Sequence, residues 1–453
     1  MPRKIPEKRG NSMELPVFVQ NCIDALENAG FAAYAVGGCV RDACLGRTPQ
    51  DYDLCTSALP QQTKQVFSDK RLVLAGEKHG TVTVLTEGGP VEITTFRTEG
   101  GYRDNRHPDW VKFVPEVEGD LARRDFTVNA MAYSPRRGFA DPFGGRHELK
   151  NHILRAVGDP ATRFQEDSLR ILRGVRFAAR YGLTPEEKTM EAMLSQAHLM
   201  ENLARERVYE ELCKLILAAK AEDLTRFAPI LGAVIPELAP MIGFDQHSPH
   251  HAYDLFTHTA HVVQGVPEEL PLRWAALLHD TGKVVTFTRA ATGRGHFYGH
   301  AKESARIADG VLRRLKAPTA LREEAVALIE GHMTRLQPER KFLRRQVSRL
   351  GFPMVYAELS LQEADMASKG TAEDDGQELF RQVRQILEKL QAEDACLSLR
   401  DLAVKGNDLM ALGLQGKEIG ETLNSLLEQV VSENLPNEKE ALLAYAAVQK
   451  KGG

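Results

Sequence analysis

The stretch YAVGGCVRDACLGRTPQDYDLCT, residues 34–56, decides how the first part of the chain reads. YAV has the composition of a strand, Gly37-Gly38 ends it, and CVRDACLG follows as a helix. A glycine pair at a helix start lets backbone N–H groups come close to a phosphate, and the helix N-terminus favours negative charge there. In a strand, residues i and i+2 face the same way, so Asp51 and Asp53 present two carboxylates side by side while Tyr52 turns into the opposite layer. Such a pair suits Mg²⁺, which completes its shell with water and phosphate oxygens. Arg41 adds a phosphate contact, and Glu92, in the later strand PVEITTFR, is a candidate third acid. A glycine turn and an exposed Asp-x-Asp are each common alone. Their order and distance here point to a nucleotide handled with magnesium.

The rest of the composition narrows the setting. At 453 residues the chain predicts two to four units, and 43% hydrophobic with 26% charged residues argues against wholesale disorder. A net charge of −4 excludes a generally basic coat, so any nucleic-acid contact has to use a local patch. The six cysteines form no CxxC pair, which fits a reduced, cytoplasmic protein. MPRKIPEKRG at the start is followed by no apolar signal core, and no stretch approaches the length of a membrane span, so no membrane partner is expected.

Residues 15–30 place Val17, Phe18, Cys22, Ile23 and Leu26 at helical spacing, and YDLCT, TVTVL and PVEITTFR read as strands. EGGYRDNRHPDW (99–110), Gly-rich and charged, predicts a mobile loop without regular structure. From Asp159 onward the pattern is helical almost to the end, with DMASKGTAEDDGQ (365–377) as a surface link. The expected fold class is therefore α+β: a mixed α/β head over 1–150, a helical neck over 151–240, a His-rich helical body over 241–395 and a helical tail over 396–453.

With those residues in view, GGCVRDACLG and DYDLCT resemble the head motif of the class II nucleotidyltransferases of the polymerase-β superfamily, the CCA-adding enzymes and bacterial poly(A) polymerases. RRDFTVNAMAY (123–133), DPFGG (141–145), EDSLR (166–170) and RGVRF (173–177) resemble the family's later motifs, in order. The resemblance implies that Asp51 and Asp53 bind two Mg²⁺ ions for an in-line displacement, with Glu92 as a third carboxylate. It implies that Gly37, Gly38, Arg41 and Arg124 contact the incoming CTP or ATP, that Asp125 and Asn129 lie near its ribose, and that Arg173 and Arg176 line the pocket. A surface ion pair at Arg124, and a scaffold role for Arg173 and Arg176, are the plainer alternatives.

Asp167 and Arg170, spaced i and i+3, are expected on one helix face. A carboxylate only accepts and a guanidinium only donates. Cytosine and adenine both set an amine beside a ring-nitrogen acceptor; uracil and guanine reverse the order. One Asp/Arg pair therefore accepts C and A and rejects U and G, because a mismatch leaves buried groups unpaired. The resemblance makes this pair a protein template for the base. Without it, an ordinary ion pair fits the spacing as well.

A second set lies in the body. LFTHTAHV, LLHDTGK, FYGHAKES, IEGHMTR and EADMASK supply His258, His279-Asp280, His300, His332 and Asp365, and this order resembles the HD phosphohydrolase domain. Imidazole and carboxylate together suit a divalent transition metal, Mn, Ni, Fe or Co, and Lys283 matches the domain's phosphate-contacting position. RLQPERKFLRRQVSR (335–349) offers Arg335, Arg340, Lys341, Arg344, Arg345 and Arg349 as a basic RNA-binding patch, or simply as a solvated helical face. The expected activity is addition of CCA to the 3′ acceptor end of tRNA from CTP and ATP, with pyrophosphate released. An A-only adding enzyme or poly(A) polymerase is the first alternative, and a metal-dependent HD phosphohydrolase acting on RNA ends or 2′,3′-cyclic phosphates is the second.

Overall fold

The computed structural model describes residues 12–102, 108–248, 252–370, 376–393 and 395–452. These divide into two compact units, residues 1–219 with 226–239 and residues 220–225 with 240–453.

The first unit is built on a seven-stranded mixed sheet. Its strands are β1 (Ala33–Val36), β2 (Asp53–Thr56), β3 (Arg71–Val73), β4 (Thr81–Thr86) and β5 (Gly89–Thr95), and, after a separate hairpin of β6 (Arg97–Tyr102) and β7 (Pro108–Phe113), β8 (Ala132–Ser134) and β9 (Gly138–Ala140). Their order is β3-β4-β5-β2-β1-β8-β9, with β2 and β5 parallel. Alternation explains the sheet's burial: Val82 and Val84 on β4, and Val91 and Ile93 on β5, are buried while the residues between them are more open. The helix Val17–Asn28 closes one face with Val19, Cys22, Ile23 and Leu26, the apolar stripe visible in the sequence. Helices Pro160–Glu166 and Arg205–Ala218 pack on Leu169–Tyr181, whose arginines lie among buried apolar neighbours.

Three expectations need correction. β2 begins at Asp53, so Asp51 lies just outside the strand. The stretch 99–110 is largely paired as β6 and β7, with Glu99 opposite Val111 and Gly100 opposite Trp110; residues 103–107 lie outside the described residues. Asp167 and Arg170 do not share one helix, because the chain breaks between Pro160–Glu166 and Leu169–Tyr181 and Asp167 is extended at φ −142° and ψ 102°. Its own carboxylate drives the break by capping the backbone N–H of Leu169 at 3.1 Å.

The second unit is helical apart from a small hairpin, Thr288–Arg289 with Gly295–His296. Helix Phe352–Ala367 takes in only the first three residues of the expected surface link and helix Gln377–Ala392 begins at its last; 368–370 and 376 carry no helix, and residues 371–375 lie outside the described residues. Among the described residues, no helix is long and apolar enough to cross a membrane.

Candidate active site and metal centre

In the first unit the chain folds round a cleft of about 470 Å³. Gly37, Gly38, Arg41, Asp51, Asp53, Arg124, Asp125, Asn129, Asp167, Arg170, Arg173 and Arg176 all line it, although they come from positions up to 139 residues apart. Gly37 takes φ +75°, and a Cβ there would stand 2.7 Å from Arg124 Nη1, so only glycine brings the turn this close to the guanidinium. Glu92 is not among the lining residues, yet β2 and β5 set it level with Asp53 in a parallel register. Tyr52 turns away and meets Phe18 edge-on, ring centroids 6.0 Å apart.

Solvent reaches Asp53 through the cleft, but the surrounding walls weaken its hydration, and repulsion from Asp51 and Glu92 outweighs attraction to Arg124. Its carboxyl is pushed up to about 6. Carboxylates forced together in this way are relieved by a divalent cation, and their hard oxygen donors fit Mg²⁺. Eight arginines against five aspartates line the cleft, an excess that suits a triphosphate.

A polar chain fixes the arginines. Arg173 donates from Nε and Nη2 to Asp125 Oδ2 at 2.9 and 2.7 Å; Asp125 Oδ1 accepts from the Phe126 N–H and from Asn129 Nδ2. Asn129 Oδ1 in turn accepts from Arg41 Nη1, and Arg41 also donates to Asp42 and to the Tyr181 hydroxyl. Burial would raise the Asp125 carboxyl, but Arg173 and the Asn129 amide hold it well below the usual range. Asp125 thus has both oxygens engaged by protein groups, and it holds Arg173 and Asn129 in place at the cleft wall. Arg176 is buried on Glu211 at 2.5 Å, the scaffold role. Arg124 pairs with the fully buried Asp120.

Arg170 commits Nη1 to the Arg163 carbonyl and to Glu166, and Nη2 to the Arg123 carbonyl. Asp167 Oδ2 accepts from Arg207 Nη2 at 3.1 Å. Asp42, Asp120, Tyr181, Arg207 and Glu211 escaped the sequence reading. Only Asp120 left a signal, four residues before Arg124 at helical spacing; the others are joined by tertiary contacts alone.

In the second unit His258, His279, Asp280 and Asp365 converge, and Asp280, His300 and His332 form an overlapping group, each within 4.8 Å. All six expected residues therefore meet. Each imidazole is held by a main-chain carbonyl: Nδ1 of His258, His279, His300 and His332 lies 3.1, 2.8, 2.8 and 2.6 Å from the oxygens of Ser368, Ala276, Phe297 and Ile329. A carbonyl only accepts, so Nδ1 carries a proton in each ring and Nε2 is the nitrogen turned inward, a lone-pair donor whenever the ring is neutral. His300 and His332 then oppose Nε2 to Nε2 at 3.3 Å, and His258 Nε2 meets Asp365 Oδ1 at 3.0 Å. Acceptors packed against acceptors repel unless protons or a cation lie between them. Protonation shows the same demand: burial disfavours the charged ring, yet Asp280 and Asp365 push His279 up to about 10, while burial and His279 bring His332 down to about 4. The donor set fits a transition metal. Gly282 is obligatory beside it, since a Cβ there would lie 2.5 Å from the His300 carbonyl oxygen.

The basic stretch is divided by the fold. Arg344 is buried and donates to the carbonyls of Cys396, Val430 and Val431, closing the C-terminus of helix Lys417–Val431, so it is structural and not an RNA contact. Arg340 is spent on Glu393 and Glu433, and Arg345 donates to Ser432. Arg335, Lys341 and Arg349 remain exposed.

Comparison with known proteins gives three family matches. The Poly A polymerase head domain matches residues 33–155, a probable RNA and SrmB-binding site of polymerase A matches 182–240, and a putative tRNA nucleotidyltransferase domain 2 matches 299–446. The last takes in His300, His332 and Asp365 but not His258, His279 or Asp280. A CCA-adding enzyme of Streptococcus thermophilus is 35% identical over 96% of this chain and 98% of its own length; one from Levilactobacillus brevis is 37% identical over 93% and 95%. A crystal structure of the Bacillus stearothermophilus CCA-adding enzyme in complex with CTP superposes with a TM-score of 0.73 at 29% identity, covering 96% of this chain and 97% of that one.

Proposed function

This chain belongs to the CCA-adding enzyme family, and from that premise we propose that it extends the 3′ acceptor end of tRNA with CCA in the cytoplasm, taking CTP and ATP and releasing pyrophosphate. The observation that carries the residue assignments is one cleft holding Gly37-Gly38, the Asp51/Asp53 carboxylates and the Asp167/Arg170 pair together. We assign nucleotidyl transfer to the head, residues 1–150, base selection to the neck, 151–240, and RNA contact to the body and tail, 241–395 and 396–453.

In this reading Asp51 and Asp53 hold Mg²⁺, with Glu92 beside Asp53 as an outer acid. The ions supply activation of the RNA 3′-hydroxyl and neutralisation of the departing pyrophosphate. Gly37 and Gly38 leave backbone room for the triphosphate. Arg124 faces it across the turn, while Arg41, Asn129, Asp125 and Arg173 form a pre-set wall that needs no rearrangement when charge builds up. Asp167 keeps a free lone pair on each oxygen after serving Leu169 and Arg207, and Arg170 keeps N–H groups after its three protein contacts. These face the Watson–Crick edge of C or A in the pattern they share. Arg335, Lys341 and Arg349 are the proposed phosphate contacts for the tRNA.

The His/Asp cluster favours a second reading alongside the first: an HD-type centre on His258, His279, Asp280, His300, His332 and Asp365 that binds Mn, Ni, Fe or Co and cleaves phosphate esters of RNA ends. The metal would supply an activated water. Lys283, 2.8 Å from Asp280 Oδ2, is placed to meet phosphate.

Labelled tRNA transcripts ending before CCA, after C and after CC, given Mg²⁺ with CTP, ATP or both, test the principal reading. Addition of CCA followed by a stop, lost in Asp51→Ala, is expected. Addition of A alone, or a lengthening A-ladder, overturns it in favour of an A-adding enzyme or poly(A) polymerase.

A further inference from the structure

Beside the His/Asp cluster the chain makes a feature that the cluster itself does not require. Tyr298, two residues before His300, leaves 80% of its surface exposed. It stacks nearly parallel on His296, with centroids 5.4 Å apart and planes 8° from each other. A large ring held flat by a neighbour and open on its outer face is a stacking platform, since any nucleobase has a π-face to offer it. The hairpin carrying it, Thr288–Arg289 with Gly295–His296, also exposes Arg289 and Arg294.

The hairpin is tied to the cluster's edge at three points. The Phe297 carbonyl holds His300 Nδ1 at 2.8 Å, Lys283 Nζ lies 5.5 Å over the Phe297 ring, and the Gly295 N–H donates to the His247 carbonyl. A Cβ at Gly295 would come within 2.4 Å of the Gln246 carbonyl oxygen, so hairpin and residue 246 are in direct contact.

Gln246 supplies the second observation. It is 1% exposed, its Oε1 accepts from Lys283 Nζ at 3.1 Å, and its Nε2 is buried with no hydrogen-bond partner among the described residues. Turning the amide over would set N–H against an ammonium, so the unpartnered atom is the donor. A buried donor left unmade is costly, and a folded chain keeps one where a water, an ion or a ligand satisfies it. Lys283 at the same place reaches Asp280 in the cluster.

We propose that this edge is a subsite for a nucleoside phosphate, with Gln246 Nε2 donating to a phosphate oxygen next to Lys283 and Tyr298 stacking the base. The inference rests on the reading of the cluster as a phosphate-ester centre and names what that centre recognises. A free mononucleotide and the terminal nucleotide of an RNA share this chemistry.

The test is equilibrium binding of 3′-AMP and of ribose 3-phosphate to the full chain, its metal content measured in parallel, for wild type, Tyr298→Ala, Tyr298→Phe and Gln246→Leu. Tyr298→Ala is expected to weaken 3′-AMP binding about tenfold and to leave ribose 3-phosphate unchanged, with Tyr298→Phe restoring it. Gln246→Leu is expected to weaken both ligands by about the same factor, and CCA addition should persist in all three variants. A short RNA ending in 3′-phosphate that binds more tightly than 3′-AMP identifies an RNA end; the reverse identifies a free nucleotide. Equal 3′-AMP affinity in wild type and Tyr298→Ala overturns the proposal, as does a loss in Tyr298→Ala that ribose 3-phosphate shares. A chain that carries no metal yet shows the Tyr298-dependent affinity defeats the metal reading and leaves the subsite standing.

Discussion

Replacing Asp167 with alanine separates base selection from every other task of the cleft. Asp167 Oδ1 serves the Leu169 N–H and Oδ2 serves Arg207, so the carboxylate is already oriented before a nucleotide arrives. Three of the five N–H groups of Arg170 are likewise committed to Arg163, Glu166 and Arg123. Losing the carboxylate removes one charge-assisted hydrogen bond to the exocyclic amine of C or A, about 1.5–3 kcal/mol, or about 10- to 150-fold in kcat/KM for CTP and ATP. UTP and GTP lose nothing, because in the wild type their carbonyl faces that carboxylate with no proton to share. Discrimination against UTP therefore falls by the same factor. Loss of the Leu169 cap costs about 1 kcal/mol, so the variant folds, which a circular-dichroism melt checks. Asp167→Asn, with a donor where the wild type has only acceptors, shifts preference further toward UTP. The assay is single-nucleotide incorporation on tRNA transcripts under single-turnover conditions, one nucleotide at a time. A folded Asp167→Ala enzyme that keeps the wild-type CTP/UTP ratio refutes the reasoning.

Asp53→Asn should abolish extension while raising the melting temperature of the metal-free protein by a few degrees, because it removes a carboxylate crowded by Asp51 and Glu92. The sign follows from linkage: a carboxyl raised to about 6 binds protons more tightly folded than unfolded, so wild-type stability without metal falls as pH rises from about 4 to 6. That slope should flatten in Asp53→Asn, and an unchanged slope in thermal melts across this window would dismiss the argument. Arg344→Ala should cost about 2–3 kcal/mol of stability by leaving two helix-end carbonyls and the Cys396 carbonyl without their donor, whereas Arg335→Ala with Lys341→Ala should leave the melt alone and lower the salt dependence of tRNA binding; the opposite pattern would restore Arg344 to the RNA surface. His279→Ala should lose bound transition metal by elemental analysis with CCA addition intact, and retention of full metal content would remove His279 from the centre.

Most of what the residues announce ahead of folding is local. The glycine turn, the helix after it, strands β2, β4 and β5 and the helical body all follow from turn residues and from apolar spacing of two or of three and four, which act over a few neighbours. The residue types of both centres were legible for the same reason: phosphate, a hard metal and a transition metal each demand particular atoms, and Asp51, Asp53, Asp167, Arg170 and the four histidines carry them in a recognisable order. Tertiary structure decided how those side chains are spent. Asp125, read from sequence only as a ribose neighbour, also holds Arg173 and Asn129 in place, and Arg344 looked like an RNA contact but closes a helix 86 residues away. Asp167 and Arg170 were expected on one helix, and a side-chain cap on Leu169 broke it. Arg207, Glu211 and Tyr181 have no local signal, because a guanidinium's partner is whichever acceptor the fold brings within about 3 Å, and sequence spacing carries no information about that distance. The inward turn of four Nε2 atoms was decided there too, since each ring is aimed by a main-chain carbonyl whose direction exists only once the helices have packed.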